Sequence, residues 1–122
     1  LFLFAGASLE MKRGGYKVLA EQLLQQAQIM LRQDATIVME LGQGIETGSV
    51  YASQFTRASD YDQLVVQFQI KGGNAWAQGV AYGIRQNNNN SNSNTVQLVS
   101  LEVANMDASL NGTPYEIVIP QP

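Results

Sequence analysis

The chain has 122 residues, one domain's worth of sequence, and is large enough to bury a core without a disulfide or metal staple. It has no His and no Cys, which removes the commonest general base, the thiolate nucleophile and the commonest soft metal ligands; any catalysis would rest on carboxylates, Lys, Tyr or Ser/Thr. A net charge of −3 with only 14% charged residues argues against a phosphate-backbone partner, which wants clustered Lys and Arg.

The first residues, Leu1-Phe2-Leu3-Phe4-Ala5-Gly6-Ala7-Ser8, are apolar and are followed by basic Lys12, Arg13 and Lys17. The run is too short to span a bilayer, which takes about 20 residues. Two readings of it stand side by side: the tail of a membrane anchor or targeting segment ending at Leu1, Phe2, Leu3 and Phe4, or an apolar segment packing on the domain. Gly14-Gly15 would form a flexible elbow after such an anchor. Residues 1–15 are therefore set apart from a single interaction domain over 16–122.

Tyr16, Leu19, Ala20, Leu23, Ala27, Met30 and Leu31 fall on one stripe of an amphipathic helix over 16–32, with Glu21, Gln22, Gln25 and Gln28 turned away and Gln26 at the margin. Asp34 is a good N-cap for a second, shorter helix over 35–41, and Gly42 is placed to end it.

From Gly44 the apolar period changes to two. Residues 48–57 read as a strand, and 58–62 as a solvated loop. Residues 64–70 and 75–85 form a β-hairpin around the connection Lys71-Gly72-Gly73-Asn74. In its second strand, Trp76, Val80, Tyr82 and Ile84 alternate with Ala75, Ala77, Gly79, Ala81 and Gly83, giving one bulky face and one bare face. Asn-Asn-Asn-Asn-Ser-Asn-Ser-Asn at 87–94 cannot bury apolar area and reads as a mobile loop. Val96, Leu98, Leu101 and Val103 mark a further strand with a bulge near Val99-Ser100. A loop over 106–113 follows, and Tyr115, Ile117 and Ile119 mark a last strand before Pro120 and Pro122. Helices first and strands after give an α+β fold, the helices packed on a mostly antiparallel sheet.

The features that hint at chemistry have plainer readings. Asp60-Tyr61-Asp62 lacks the regular oxygen spacing and closing Glu of a calcium loop and reads as a solvated turn. Gly42, Gly44 and Gly48 follow a helix and precede a strand, the reverse of a dinucleotide loop. Tyr16, Tyr51, Tyr61, Tyr82, Tyr115 and Trp76 read as core and rim aromatics. The bare face of Gly79, Ala81 and Gly83, with Trp76 beside it, admits two neighbours: the first helix of the same chain, or a helix or strand of a partner. An unpaired edge strand would add a route for β-augmentation.

Asp34-Ala35-Thr36-Ile37-Val38-Met39-Glu40-Leu41-Gly42-Gln43-Gly44-Ile45, directly after a long amphipathic helix, resembles the helix-to-strand junction of the superfamily of Tim-twenty-one and cytochrome oxidase assembly factor one. The hairpin over 64–85 and the strands over 96–103 and 115–119 follow in the same order. The resemblance implies a single-span mitochondrial inner-membrane protein with its domain in the intermembrane space. It implies a non-enzymatic interaction module without cofactor or metal, whose partners are subunits of respiratory complexes or of the presequence translocase. Translocase members offer a basic surface, whereas this chain is acidic and spreads its basic residues thinly, and 87–94 looks like an insertion. The leading expectation is thus a membrane-tethered accessory or assembly subunit of a large energy-converting complex. A translocase-linked domain and a free-standing secreted or periplasmic ligand-binding domain are the alternatives, with a thylakoid or bacterial membrane as alternative locations.

Overall fold

The computed structural model describes residues 13–58, 60–86, 95–104 and 114–119, with side chains from Lys17 onward in the first helix. The apolar start, the Asn/Ser tract at 87–94, the 106–113 loop and the closing prolines lie outside the described residues. The fold is α+β: helices α1 (Arg13–Gln33) and α2 (Ala35–Leu41) precede strands β1 (Glu46–Arg57), β2 (Tyr61–Lys71), β3 (Trp76–Gln86), β4 (Gln97–Ala104) and β5 (Tyr115–Val118). The strands form one antiparallel sheet in the order β1-β2-β3-β4-β5, so each pairs only with its neighbours in sequence.

Helix α1 begins before the expected elbow and runs through Gly14-Gly15. Glycine in a helix costs about 1 kcal/mol relative to Ala but does not forbid it. An added N-terminal turn gives partners to amide N–H groups that would otherwise be orphaned at the helix start. The stripe falls where its period places it: Leu19, Leu23, Ala27 and Leu31 are buried. Asp34 caps α2 by accepting from the Ile37 N–H at 3.1 Å, and Gly42 ends it at a φ of +91° with its N–H on the Val38 carbonyl at 2.9 Å. That φ favours glycine over any residue with a Cβ.

In β2, Leu64, Val66, Phe68 and Ile70 point to the helices; in β3, Ala77, Gly79, Ala81 and Gly83 do so; in β4, Leu98, Leu101 and Val103. The small β3 residues sit in register with large neighbours, as in the pairs Leu64 with Gly83, Val66 with Ala81 and Phe68 with Gly79. A Cβ at Gly79 would lie 2.7 Å from the Phe68 ring, and one at Gly83 2.7 Å from Leu23 Cδ1 and 2.8 Å from Val96 Cγ2. The missing side chains are therefore room taken by Phe68 and by α1. Val99 has no register partner between Tyr82–Ser100 and Gly83–Leu98, which is the expected bulge.

Two loops interlock at one end of the sheet. The Leu41 carbonyl accepts from the Asn74 N–H at 2.8 Å and the Ala75 N–H at 3.2 Å, and the Gln43 carbonyl accepts from the Gly73 N–H at 2.9 Å. A Cβ at Gly72 would strike the Leu41 carbonyl oxygen, and one at Gly42 would lie 2.8 Å from the Asn74 nitrogen. The Leu41-Gly42 junction and the Gly72-Gly73-Asn74 turn are thus two halves of one joint.

The glutamines of α1 are not an idle polar face. The Gln22 Oε1 accepts from the Val96 N–H at 3.1 Å; Gln26 donates to the Val96 carbonyl at 2.7 Å and accepts from the Leu98 N–H at 2.9 Å. These atoms lie beyond the stretch of β4 that β5 covers, which runs from Ser100 to Val103. On the opposite edge, Gln28 accepts from the Thr47 N–H at 3.0 Å and Arg32 donates to the Ile45 carbonyl at 2.7 Å. Long side chains of one helix thereby cap backbone groups at both margins of the sheet. Of the residues expected to turn away, Glu21 and Gln25 do so, whereas Gln22 and Gln28 reach the sheet.

The loop expected over 58–62 is shorter, because Tyr61 and Asp62 belong to β2. Asp62 is 3% exposed and takes an ion pair from Arg85 at 2.8 Å. It stands directly across from Arg85 in the ladder, while the Arg85 guanidinium also lies 5.2 Å from the centroid of the Phe55 ring. Asp62 is consequently a buried, paired carboxylate and not part of a solvated turn; a buried charge is tolerated only with such a partner.

Candidate functional site

Helices cover one face of the sheet, and among the described residues nothing covers the other. The alternation that sends Leu64, Val66 and Phe68 inward sends Gln63, Val65, Gln67 and Gln69 outward, and in β3 it sends Trp76, Gln78, Val80, Tyr82 and Ile84 outward. Register then builds cross-strand rows on this open face. One row runs Gln54, Val65, Tyr82, Ser100, Val118; the next runs Ala52, Gln67, Val80, Glu102, Glu116. Val65, 8% exposed, is shielded within its row, while Val118 at the sheet edge is 65% exposed.

Tyr51, at the irregularity of β1, leaves the regular ladder and is 51% exposed. With Gln67, Gln78, Gly79, Val80, Glu102, Ala104 and Pro114 it lines a concavity of about 380 Å³ on the open face. Its lining combines apolar Val80, Ala104 and Pro114 with two carboxamides, one carboxylate and the Tyr51 phenol.

The electrostatics of this region are one-sided. Glu102 and Glu116 stand opposite each other in the β4–β5 ladder, an arrangement that costs stability because like charges meet across strands. Tyr82 donates its hydroxyl to Glu102 Oε1 at 3.2 Å. Burial, then the charge and hydrogen bond of Glu102, and then the charge of Glu116 push the Tyr82 phenol up to about 12. The lysine of this face, Lys71, sits at the far end of the sheet over the Trp76 ring, 5.5 Å from its centroid.

The residues singled out from sequence divide between the two faces. Ala81 and Gly83 are buried in the chain's own core, and the space a Cβ would take at Gly79 and Gly83 is filled by Phe68, Leu23 and Val96, so the helix of the same chain takes the bare face; Gly79, buried on that side, also borders the concavity of the open face. Trp76 is on the open side and 60% exposed. Leu1, Phe2, Leu3 and Phe4 lie outside the described residues. The alternation of β3 separates the two faces in the sequence itself; what it leaves undecided is which face the helix takes. Small residues win the helix because they permit close approach, and the bulky face is left outside. The Glu102–Glu116 pairing depends on the register between two strands separated by a long connection, and no local pattern reports it.

Two shallower concavities flank the helices, one by Glu21, Leu24, Gln25, Gln28 and Thr47, the other by Arg32, Val38, Gln43, Gly44 and Ile45. Among the described residues no group of three or more Asp or Glu side chains is placed to hold a metal ion, and no helix is long and apolar enough to cross a membrane. Asp60 is exposed and Asp62 is committed to Arg85, so the two do not form a carboxylate pair.

The fold and this face define an α+β domain with helices on one side of an antiparallel sheet and an open, aromatic and acidic surface on the other. No family model, curated protein or solved structure matches the chain.

Proposed function

We propose that this domain is a non-enzymatic protein-contact module that serves as a membrane-tethered accessory or assembly subunit of a large energy-converting complex of the respiratory, cytochrome oxidase type. In this reading it sits at the mitochondrial inner membrane, with the domain facing the intermembrane space. The observation that carries the contact role is the uncovered sheet face, where Tyr51 lines the concavity and Trp76 and Val118 stand exposed elsewhere on the same face. Large apolar side chains grouped on an open face mark contact surfaces more often than single exposed residues do. The apolar start and the resemblance at residues 34–45 supply the membrane and the complex. The joint between Leu41-Gly42 and the hairpin turn gives part of that segment a structural role in this fold, so the partner is sought at the open face.

The translocase-linked alternative would want a basic patch, and the open face presents Glu46, Glu102 and Glu116 against Lys71. The deciding experiment places a photo-crosslinking residue at Val80, on the open face, or at Gln25, on the outer face of α1. Native membranes are then extracted in mild detergent, separated on a native gel and identified by mass spectrometry. The expected result is comigration with a respiratory complex and a crosslink to one of its subunits from Val80 alone. Release as a small species without detergent would overturn the tethered reading, and saturable uptake of a small molecule by that species would favour the free-standing ligand-binding domain.

A further inference from the structure

We propose that the concavity on the open sheet face receives an arginine side chain from an extended segment of the partner protein, with its guanidinium at Glu102 and Tyr51 and its stem on Val80. This rests on the contact-module reading and adds the chemistry of the partner.

Charge complementarity selects the occupant. Glu102 and Glu116 face each other across the β4–β5 ladder, and no described lysine or arginine pairs with either. A cation supplied from outside would turn that repulsion into attraction. The Tyr82 hydroxyl occupies Glu102 Oε1, which leaves the second carboxylate oxygen free to accept. A second copy of this chain offering the same face would set glutamates against glutamates, so self-association through it is disfavoured.

The lining favours arginine over lysine. Glu102, Gln67 and Gln78 bring one carboxylate and two carboxamides to the lining, and Tyr51 brings an aromatic ring. A guanidinium carries five N–H donors in a plane and stacks on aromatic rings, whereas an ammonium is a strongly hydrated point charge. Val80, Ala104 and Pro114 give the aliphatic stem an apolar bed. An extended segment presents alternate side chains to one side, so one arginine enters the concavity while its immediate neighbours in sequence face away.

The test titrates the isotopically labelled protein with the peptide acetyl-Thr-Arg-Thr-Arg-Thr-amide, following backbone amide shifts by NMR. The peptides with Lys or Glu in place of Arg serve as comparisons. Saturating shifts at Val80, Glu102 and Glu116 are expected, with the Glu peptide inert and the Lys peptide weaker. Glu102→Gln and Tyr51→Ala, both at partly exposed positions, should each keep the wild-type spectrum elsewhere. Glu102→Gln should weaken binding at least about tenfold, the loss of one charged hydrogen bond. Absence of shifts on this face, or equal binding by wild type and Glu102→Gln, would overturn the proposal. If that happens while the crosslinker at Val80 still captures a complex subunit, the arginine chemistry falls and the contact reading stands; failure of both experiments removes both.

Discussion

The Tyr115 hydroxyl lies 3.0 Å from each carboxylate oxygen of Asp34, joining the last strand to the cap of α2 across 81 residues of sequence. The same carboxylate accepts from the Ile37 N–H, so one side chain holds both a helix start and the outermost strand. Tyr115→Phe removes only the hydroxyl and should cost about 1 kcal/mol. Asp34→Ala also removes the cap and leaves the hydroxyl without its acceptor, and should cost about 2–3 kcal/mol. Urea unfolding measures both, and indistinguishable midpoints for wild type and Asp34→Ala would refute the link.

The joint between the α2 end and the hairpin turn makes a sharper contrast. A Cβ at Gly72 would meet the fixed backbone carbonyl of Leu41, so Gly72→Ala should destabilise by about 1–3 kcal/mol through overpacking. Gly44 has φ +73° but nothing within 4 Å of a Cβ, so only the backbone conformation resists a side chain. Asn tolerates that region, and Gly44→Asn should cost about 1 kcal/mol or less. Thermal melts of the two variants should separate clearly; equal shifts would mean that the contact with Leu41 is not tight.

Gln26 should prove far more important than its neighbour Gln25. Gln26→Ala leaves the Val96 carbonyl and the Leu98 N–H without their partner, at a cost of about 1–3 kcal/mol, whereas exposed Gln25→Ala should change stability by less than about 0.5 kcal/mol. Amide hydrogen exchange gives the local reading: Leu98 should lose protection in the Gln26 variant and keep it in the Gln25 variant.

Tyr82 contributes to stability in a way that depends on alkaline pH. Its phenol is held up to about 12, chiefly by burial and then by Glu102 and Glu116. The ordinary value is 10.0, so the neutral form is favoured in the folded chain. The stability tied to this shift is complete below pH 10, and it drains away as pH rises from there toward about 12. Absorbance-monitored titration should show a late tyrosinate step that Glu102→Gln moves to lower pH while leaving it above 10, because burial remains. A step that Glu102→Gln does not move would contradict the contact.

What the sequence discloses follows from what periodicity can carry. Alternation marked the hairpin, and the α1 stripe marked Leu19 through Leu31, because apolar residues repeat at the period of their element. The bulge at Val99 showed as a break in that repeat. Polar residues escape the same logic: Gln22, Gln28 and Asp62 look solvated by type, yet a long amide that reaches a strand margin, or a carboxylate with an arginine across the ladder, lies on the protein side. Gly14-Gly15 misled because glycine lowers helix propensity without deciding against a turn that satisfies the next one. The open face was legible as bulky positions in β3, but its acidic row required a register between β4 and β5.

A meander whose strands pair only with sequence neighbours can be laid down by a series of short closures, each with a small entropic cost. The ties from Gln26 to Leu98 and from Asp34 to Tyr115 are different in kind, closing separations of 72 and 81 residues. They become favourable only after both ends already stand in place. The sheet is thus built from pairings that close over short stretches, while the long-range ties of α1 and of the α2 cap meet at its β4–β5 margin and staple the two ends of the chain together there.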